Sequence, residues 1–124
     1  MATLGARLVS VAPGAVALEL PFDPRLTQQN GFLHAGVVAT LADNACGYAA
    51  LSLMPADAEV LSVEFKVNLM RPASTPLFHA VGRVVRAGRT LTVCTAEVRA
   101  LDAGKETVVA LMQATMMQVP AVIP

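Results

Sequence analysis

Along residues 61–69 the odd positions (Leu61, Val63, Phe65, Val67, Leu69) are all apolar, whereas Ser62, Glu64, Lys66 and Asn68 between them are polar. A period of two predicts a strand with one buried face, ended by Arg71-Pro72-Ala73-Ser74. Further strands are predicted at about 77–87, 89–101 and 107–118, separated by Ala87-Gly88 and Asp102-Ala103-Gly104-Lys105 turns. In the last of them Val108, Ala110, Met112, Ala114 and Met116 alternate against Thr107, Gln113 and Thr115. Upstream the pattern differs. The segment from His34 to Leu53 is apolar on nearly every side and is stopped by Pro55, which predicts one helix over 34–53. Gly36 and Gly47 weaken it, and both are expected to admit close approach of another backbone. Residues 6–12 and 15–21, on either side of Pro13-Gly14, read as a strand pair, and Thr27-Gln28-Gln29-Asn30-Gly31 reads as a loop.

A helix apolar nearly all round must be covered on most sides. A strongly curved sheet wrapping it meets that need, so the expected fold is α+β, with a central buried helix and the last four strands as an antiparallel meander. At 124 residues the chain should form a single domain, 1–124. Hydrophobic residues make up 55% and charged ones 15%, with no Trp; so apolar a surface predicts burial between subunits and hence an oligomer. The formal net charge of zero argues against a general nucleic-acid binder or an electrostatic membrane-surface protein. The stretch from Gly31 to Met54 has the length of a membrane span, but His34, Thr40, Asp43, Asn44 and Ser52 interrupt it and no basic flank follows. No basic region followed by an apolar run opens the chain, so a cytoplasmic location is expected. Cys46 and Cys94 lack Cys-x-x-Cys or metal-ligand spacing and read as buried thiols, a disulfide being the weaker alternative. The two histidines and two cysteines are scattered, so neither a metal nor a cofactor is expected, and His79 reads as structural.

Against this background Asp43 stands out. It is the only formally charged side chain between Arg25 and Asp57, and it lies within the apolar helix nine residues after His34. An ionised carboxylate in such a place costs several kcal/mol unless paired or hydrogen-bonded. A bond to Asn44 or Thr40 would give it a purely structural role; catalysis is the other reading.

Two local patterns decide between these. Gln28-x5-His34-Ala35-Gly36-x6-Asp43 is similar to the Asn/Gln, His-Gly-Gly and acidic residue of hotdog-fold acyl-CoA thioesterases of the phenylacetic-acid-degradation type. Leu61-Ser62-Val63-Glu64-Phe65-Lys66-Val67-Asn68-Leu69-Met70-Arg71-Pro72-Ala73 resembles the third strand of that family, and Arg86-Ala87-Gly88-Arg89-Thr90 more weakly resembles a strand turn. The resemblance covers residues 15–118, with one departure, Ala35 where the family has glycine.

The resemblance implies hydrolysis of an acyl-CoA thioester. A helix N-terminus offers unpaired N–H groups and a positive dipole end, so the Ala35 N–H suits an oxyanion donor. The Gln28 amide would add a second donor, and His34 would place the carbonyl or bond to backbone. Asp43 would be general base or nucleophile, a role that burial favours by raising its proton affinity. Ser62 would orient the attacking water. Substrate contacts are expected from Asn30, Gly36, Arg86, Gly88, Arg89 and Thr90, with Arg86 and Arg89, or Arg71 and Arg83, near the coenzyme A phosphates. Phe32, Leu33, Tyr48, Leu51 and Met54 are candidates for the acyl pocket. From His34 to Asp43 a helix rises roughly 13–14 Å and turns about 900°, which predicts that the two ends face opposite ways and meet only across a two-fold axis. A dimer or a homotetramer follows. Alternatives on the same fold are an acyl-thioester hydratase or dehydratase and a non-catalytic acyl-CoA-binding protein.

Overall fold

A computed structural model describes residues 2–121. Strands β1 (Arg7–Ala12) and β2 (Ala15–Pro21) form a hairpin about Pro13-Gly14, where Gly14 takes a φ of 76°. The helix α1 (Ala35–Leu51) follows, then β3 (Ala58–Leu69), β4 (Leu77–Ala87), β5 (Leu91–Asp102) and β6 (Lys105–Pro120). All six strands pair antiparallel in the order β1-β2-β4-β5-β6-β3, and the sheet curls around α1. This is the hotdog architecture expected from the chain. The core is built from helix residues such as Val38, Leu41, Ala45 and Cys46 against Leu18, Phe78, Ala80, Cys94, Val98 and Met116.

The expected meander holds for β4, β5 and β6 only. β3 pairs with the far side of β6, and β4 lies beside β2. The segment from Met70 to Pro76 therefore crosses over instead of turning. Its backbone carbonyls are tied down on the way: Ala73 O accepts the Leu33 N–H at 2.8 Å, and Pro76 O accepts the Phe22 N–H at 2.8 Å. With two prolines in seven residues, the crossing is stiff as well as anchored.

The alternation read along β3 also breaks. A bulge lies between Ser62 and Glu64. Before it, Ser62 pairs with the buried Met116; after it, Phe65, Val67 and Leu69 pair with the buried Ala114, Met112 and Ala110. Directly paired residues share a sheet face, so the extra residue puts both Ser62 and the later odd positions on the helix side. Leu61, expected inside, pairs with Met117 on the other face and is exposed. Phe65 and Leu69 face inward yet remain 44% and 52% exposed, because β3 is the open edge of the sheet. A second irregularity between Val98 and Arg99 places Val108 opposite Arg99, so Val109, not Val108, is buried.

Close backbone approach occurs at a glycine the helix pattern did not point to. A Cβ on Gly82 of β4 would overlap the Ala45 carbonyl and lie 2.9 Å from Cys46 N, whereas one on Gly47 would meet only Val60 Cγ1 at 3.9 Å. Gly82→Ala should therefore destabilise the protein by about 3 kcal/mol, since neither backbone can yield cheaply. Gly47→Ala should be neutral or stabilise by up to about 1 kcal/mol through helix propensity. Urea unfolding of the two variants side by side checks this; equal midpoints would remove the close-approach account.

Candidate active site

The helix begins where its first N–H groups need acceptors. His34, with φ −60° and ψ 137°, is the N-cap, and its Nδ1 accepts the Gly36 N–H at 2.9 Å. An accepting Nδ1 carries no proton, which leaves Nε2 as the ring's donor. The His34 carbonyl accepts from Val37 and Val38 at 2.9 and 3.3 Å. Among the first-turn donors of the described residues, only the Ala35 N–H has no protein acceptor. His34 thus works on the backbone, the plainer of its two expected roles. By occupying the Gly36 N–H it singles out that of Ala35.

This N–H lies at a cavity of about 380 Å³ whose lining includes Gln28, Phe32, Leu33, Ala35, Val38 and Leu69. The strand-to-crossover segment Met70–Ala73 and Val109 complete the wall. Gln28 Oε1 accepts the Asn30 N–H, which leaves the amide nitrogen free to donate. Asn30 serves this turn through its backbone, and Gly36 is spent on the cap. The Leu33 N–H bond to Ala73 O and the His34 N–H bond to Leu26 O (2.9 Å) fix the loop that carries these groups. Sequence reasoning missed Met70, Pro72, Ala73 and Val109 as cavity walls, since they come together only through the crossover and the β6 bulge.

Asp43 sits two turns further along α1, half-buried rather than sealed in the core. Ser62 Oγ donates to Asp43 Oδ1 at 2.7 Å and also touches Met116 Sδ at 3.4 Å. No protein donor among the described residues reaches Oδ2, so one carboxylate oxygen is oriented and the other is open. Asn44 and Thr40 bond instead to backbone carbonyls of the helix, Thr40 O and Gly36 O, and leave Asp43 alone.

The two halves do not meet within the chain, but the reason differs from the expected one. Ala35 shares its cavity with Leu69 of β3, and Asp43 bonds Ser62 of the same strand. They face one strand, not opposite ways, and are kept apart along the helix, about 12 Å over eight residues. The rotation that counts is from Ala35 to Asp43, about 80° beyond two full turns.

Other expected contacts are dispersed. Arg86, Gly88, Arg89 and Thr90 lie at the β4–β5 turn; the Gly88 N–H bonds Leu91 O and Thr90 O accepts from Gln118, both at 2.8 Å. Arg83 pairs with Ala15 and Thr95 on the face away from the helix. The acyl-pocket candidates separate too. Phe32 and Leu33 line the Ala35 cavity, whereas Tyr48 and Leu51 line another of about 390 Å³ beneath β1 and β2, and Met54 lines neither. His79 bonds Glu19 at 3.1 Å on the outer face, the structural role expected of it.

Cys46 and Cys94 are free and fully buried, and no group of three potential metal ligands occurs among the described residues. Burial first, then the proximity of Cys94 and Asp43, pushes the Cys46 thiol up to about 12, and burial pushes Cys94 up to about 11. Such thiols are inert. Native protein at pH 8 should give almost no reaction with Ellman's reagent, and two thiols per chain after unfolding; rapid native reaction of either would contradict the burial. Because both folded values exceed the ordinary thiol value of 9.0, the stability these thiols contribute is complete below pH 9 and is lost as pH rises through about 11 to 12.

Comparison with known proteins adds four findings. The family model for the thioesterase superfamily matches residues 30–107. A thioesterase family protein from Silicibacter pomeroyi is 54% identical and superposes with a TM-score of 0.95 over 98% of this chain and 89% of that one. Acyl-coenzyme A thioesterase 13 of Homo sapiens is 32% identical over 99 residues, 79% of this chain and 70% of the relative. The PaaI protein of the E. coli phenylacetic acid degradation operon shares the fold, with a TM-score of 0.86 at 19% identity over 99% of this chain and 86% of that one. No helix among the described residues is long and apolar enough to cross a membrane.

Proposed function

The chain belongs to the thioesterase superfamily, and from that membership we propose that it hydrolyses acyl-CoA thioesters to the free acid and coenzyme A at a site composed of two subunits. The observation that carries this reading is the Ala35 N–H, a helix-end donor without a protein acceptor at the edge of a cavity that also holds the free Gln28 amide. These two donors would take the thioester carbonyl and the oxyanion that develops from it. Asp43, with Oδ2 open and Oδ1 held by Ser62, would remove a proton from water or attack the carbonyl carbon itself. The acyl-CoA thioesterase 13 of Homo sapiens supports the substrate class by its name.

The open edge of β3 supports the second subunit. Antiparallel pairing of two β3 edges about an axis at Lys66, with Val63 bulged as it is against β6, would bring Ser62 of one chain beside Leu69 of the other. Asp43 of the partner subunit would then stand over the Ala35 cavity, and the exposed Phe65, Leu69 and Met70 would be covered. A dimer is the smallest working unit in this reading; a homotetramer of the phenylacetic-acid-degradation type would pair two of them.

Thiol release from a panel of aromatic and aliphatic acyl-CoAs tests the activity directly. Tight binding across the panel without release of coenzyme A would replace hydrolysis with the binding-protein reading.

A further inference from the structure

The open edge of β3 carries charges that nothing in its own chain uses. On the face away from the helix, Glu64, Lys66 and Asn68 pair with Thr115, Gln113 and Leu111 of β6, and all three are exposed. Among the described residues neither Glu64 nor Lys66 takes part in an ion pair. Further along the same face the charges are joined across the strands, Arg7 to Glu19, Glu19 to His79, and Arg99 to Glu97 and Glu106. We propose, resting on the two-subunit site, that Glu64 and Lys66 are the recognition pair of the dimer: each Glu64 meets the partner's Lys66, so that this edge selects a second copy of the chain.

The strand geometry carries this assignment. About the axis at Lys66, Glu64 lies directly opposite the partner's Asn68 and diagonal to the partner's Lys66, and the two-fold repeats both contacts. Diagonal neighbours stand roughly 7–8 Å apart, within reach of a lysine side chain. The Glu64 carboxylate is already aimed. Thr115 Oγ1 donates to its Oε1 at 2.6 Å, which leaves Oε2 to an ammonium and an amide from the facing strand. At the axis the two Lys66 side chains oppose each other, an arrangement that is unfavourable alone and is offset by the carboxylate on either side. Charge therefore balances across the seam when the second strand carries the same acid and the same base.

The opposite edge of the sheet has no such device. β1 is open too, but Arg7, its one charged residue, is held by Glu19, and its other side chains are uncharged. An edge bearing free charges of both signs accepts its own kind and resists strands that lack them. The charges do not fix the register by themselves. A slip of two residues, to an axis at Phe65, would set Glu64 directly opposite the partner's Lys66 and carry Asp43 about 7 Å from the Ala35 cavity. Edge and partner are thus chosen on the outer face of β3, and the register is left to the apolar side chains of the inner face.

Lys66→Glu gives an edge with two acids, and Glu64→Lys gives one with two bases. Mixed in equal amounts and allowed to exchange, these variants should form hybrids as about nine-tenths of all dimers by native mass spectrometry, against about half for charges that do not meet. Alone, each should dimerise about thirtyfold more weakly than wild type, a difference that shrinks in about 1 M salt. The chain carrying both Glu64→Lys and Lys66→Glu reverses each sign and should regain wild-type dimer affinity, which separates a lost contact from a lost fold. Random hybrids, or single variants that dimerise as wild type does, overturn the assignment. Because mass reports on the interface and not on turnover, preferred hybrids of a protein that releases no thiol from any acyl-CoA would overturn the proposed reaction and leave the recognition pair standing.

Discussion

Ala35→Pro should fold normally and lose about 10²- to 10³-fold in kcat, the range for removal of one oxyanion donor. Proline is favoured at the first helical position, where its missing N–H is ordinarily no loss to the helix. The preceding residue must be extended, and His34 already has φ −60° and ψ 137°. The single hydrogen deleted is the one without a protein acceptor, and the ring carbon replacing it would occupy the place of the thioester oxygen. Ala35→Gly keeps the N–H and should keep the activity. Denaturation midpoints measured beside steady-state rates separate the two effects; a stable proline variant with wild-type kcat would exclude Ala35 as the donor.

Asp43→Asn should lower kcat by about 10³-fold, as expected for loss of a general base, with KM changed little. Asparagine preserves the acceptor that Ser62 Oγ meets at 2.7 Å, so the geometry survives while the basic oxygen is lost. The composite site makes a second demand. Mixed with Ala35→Pro in equal amounts and allowed to exchange subunits, half of the dimers would be hybrids. Each hybrid carries one intact site of two, so about a quarter of wild-type activity should return. Confirmed exchange without recovery would place both halves of the site in one chain.

Much of this was legible before any coordinates. The helix from Ala35 to Leu51, capped by His34 and closed by Ser52, follows the stretch the pattern marks, and Ser62, expected to orient the attacking water, stands within hydrogen-bond reach of Asp43. Three features were not legible, each for a physical reason. A period of two reports that a segment is a strand but not which neighbour it finds, so the place of β3 beyond β6 stayed hidden. The cavity wall around Met70–Ala73 and Val109 depends on that crossing. Which first-turn N–H stays free depends on the rotamer of one imidazole, and no spacing rule contains it. The burial expected for Asp43 was overstated because the helix lies near the open sheet edge, which a single chain does not cover.

The bulge at Ser62–Glu64 sets a constraint of a different kind, on chain length rather than on residue type. Substitutions at Val63, an exposed position, should be tolerated, and its deletion would leave Ser62 and Phe65 two residues apart, both still on the helix side in regular alternation. Straightening the strand with Val63 in place would instead turn either Ser62 away from Asp43, or Phe65, Val67 and Leu69 outward together. Related chains can therefore be expected to vary in composition here, and to lose this residue only together with the bulge.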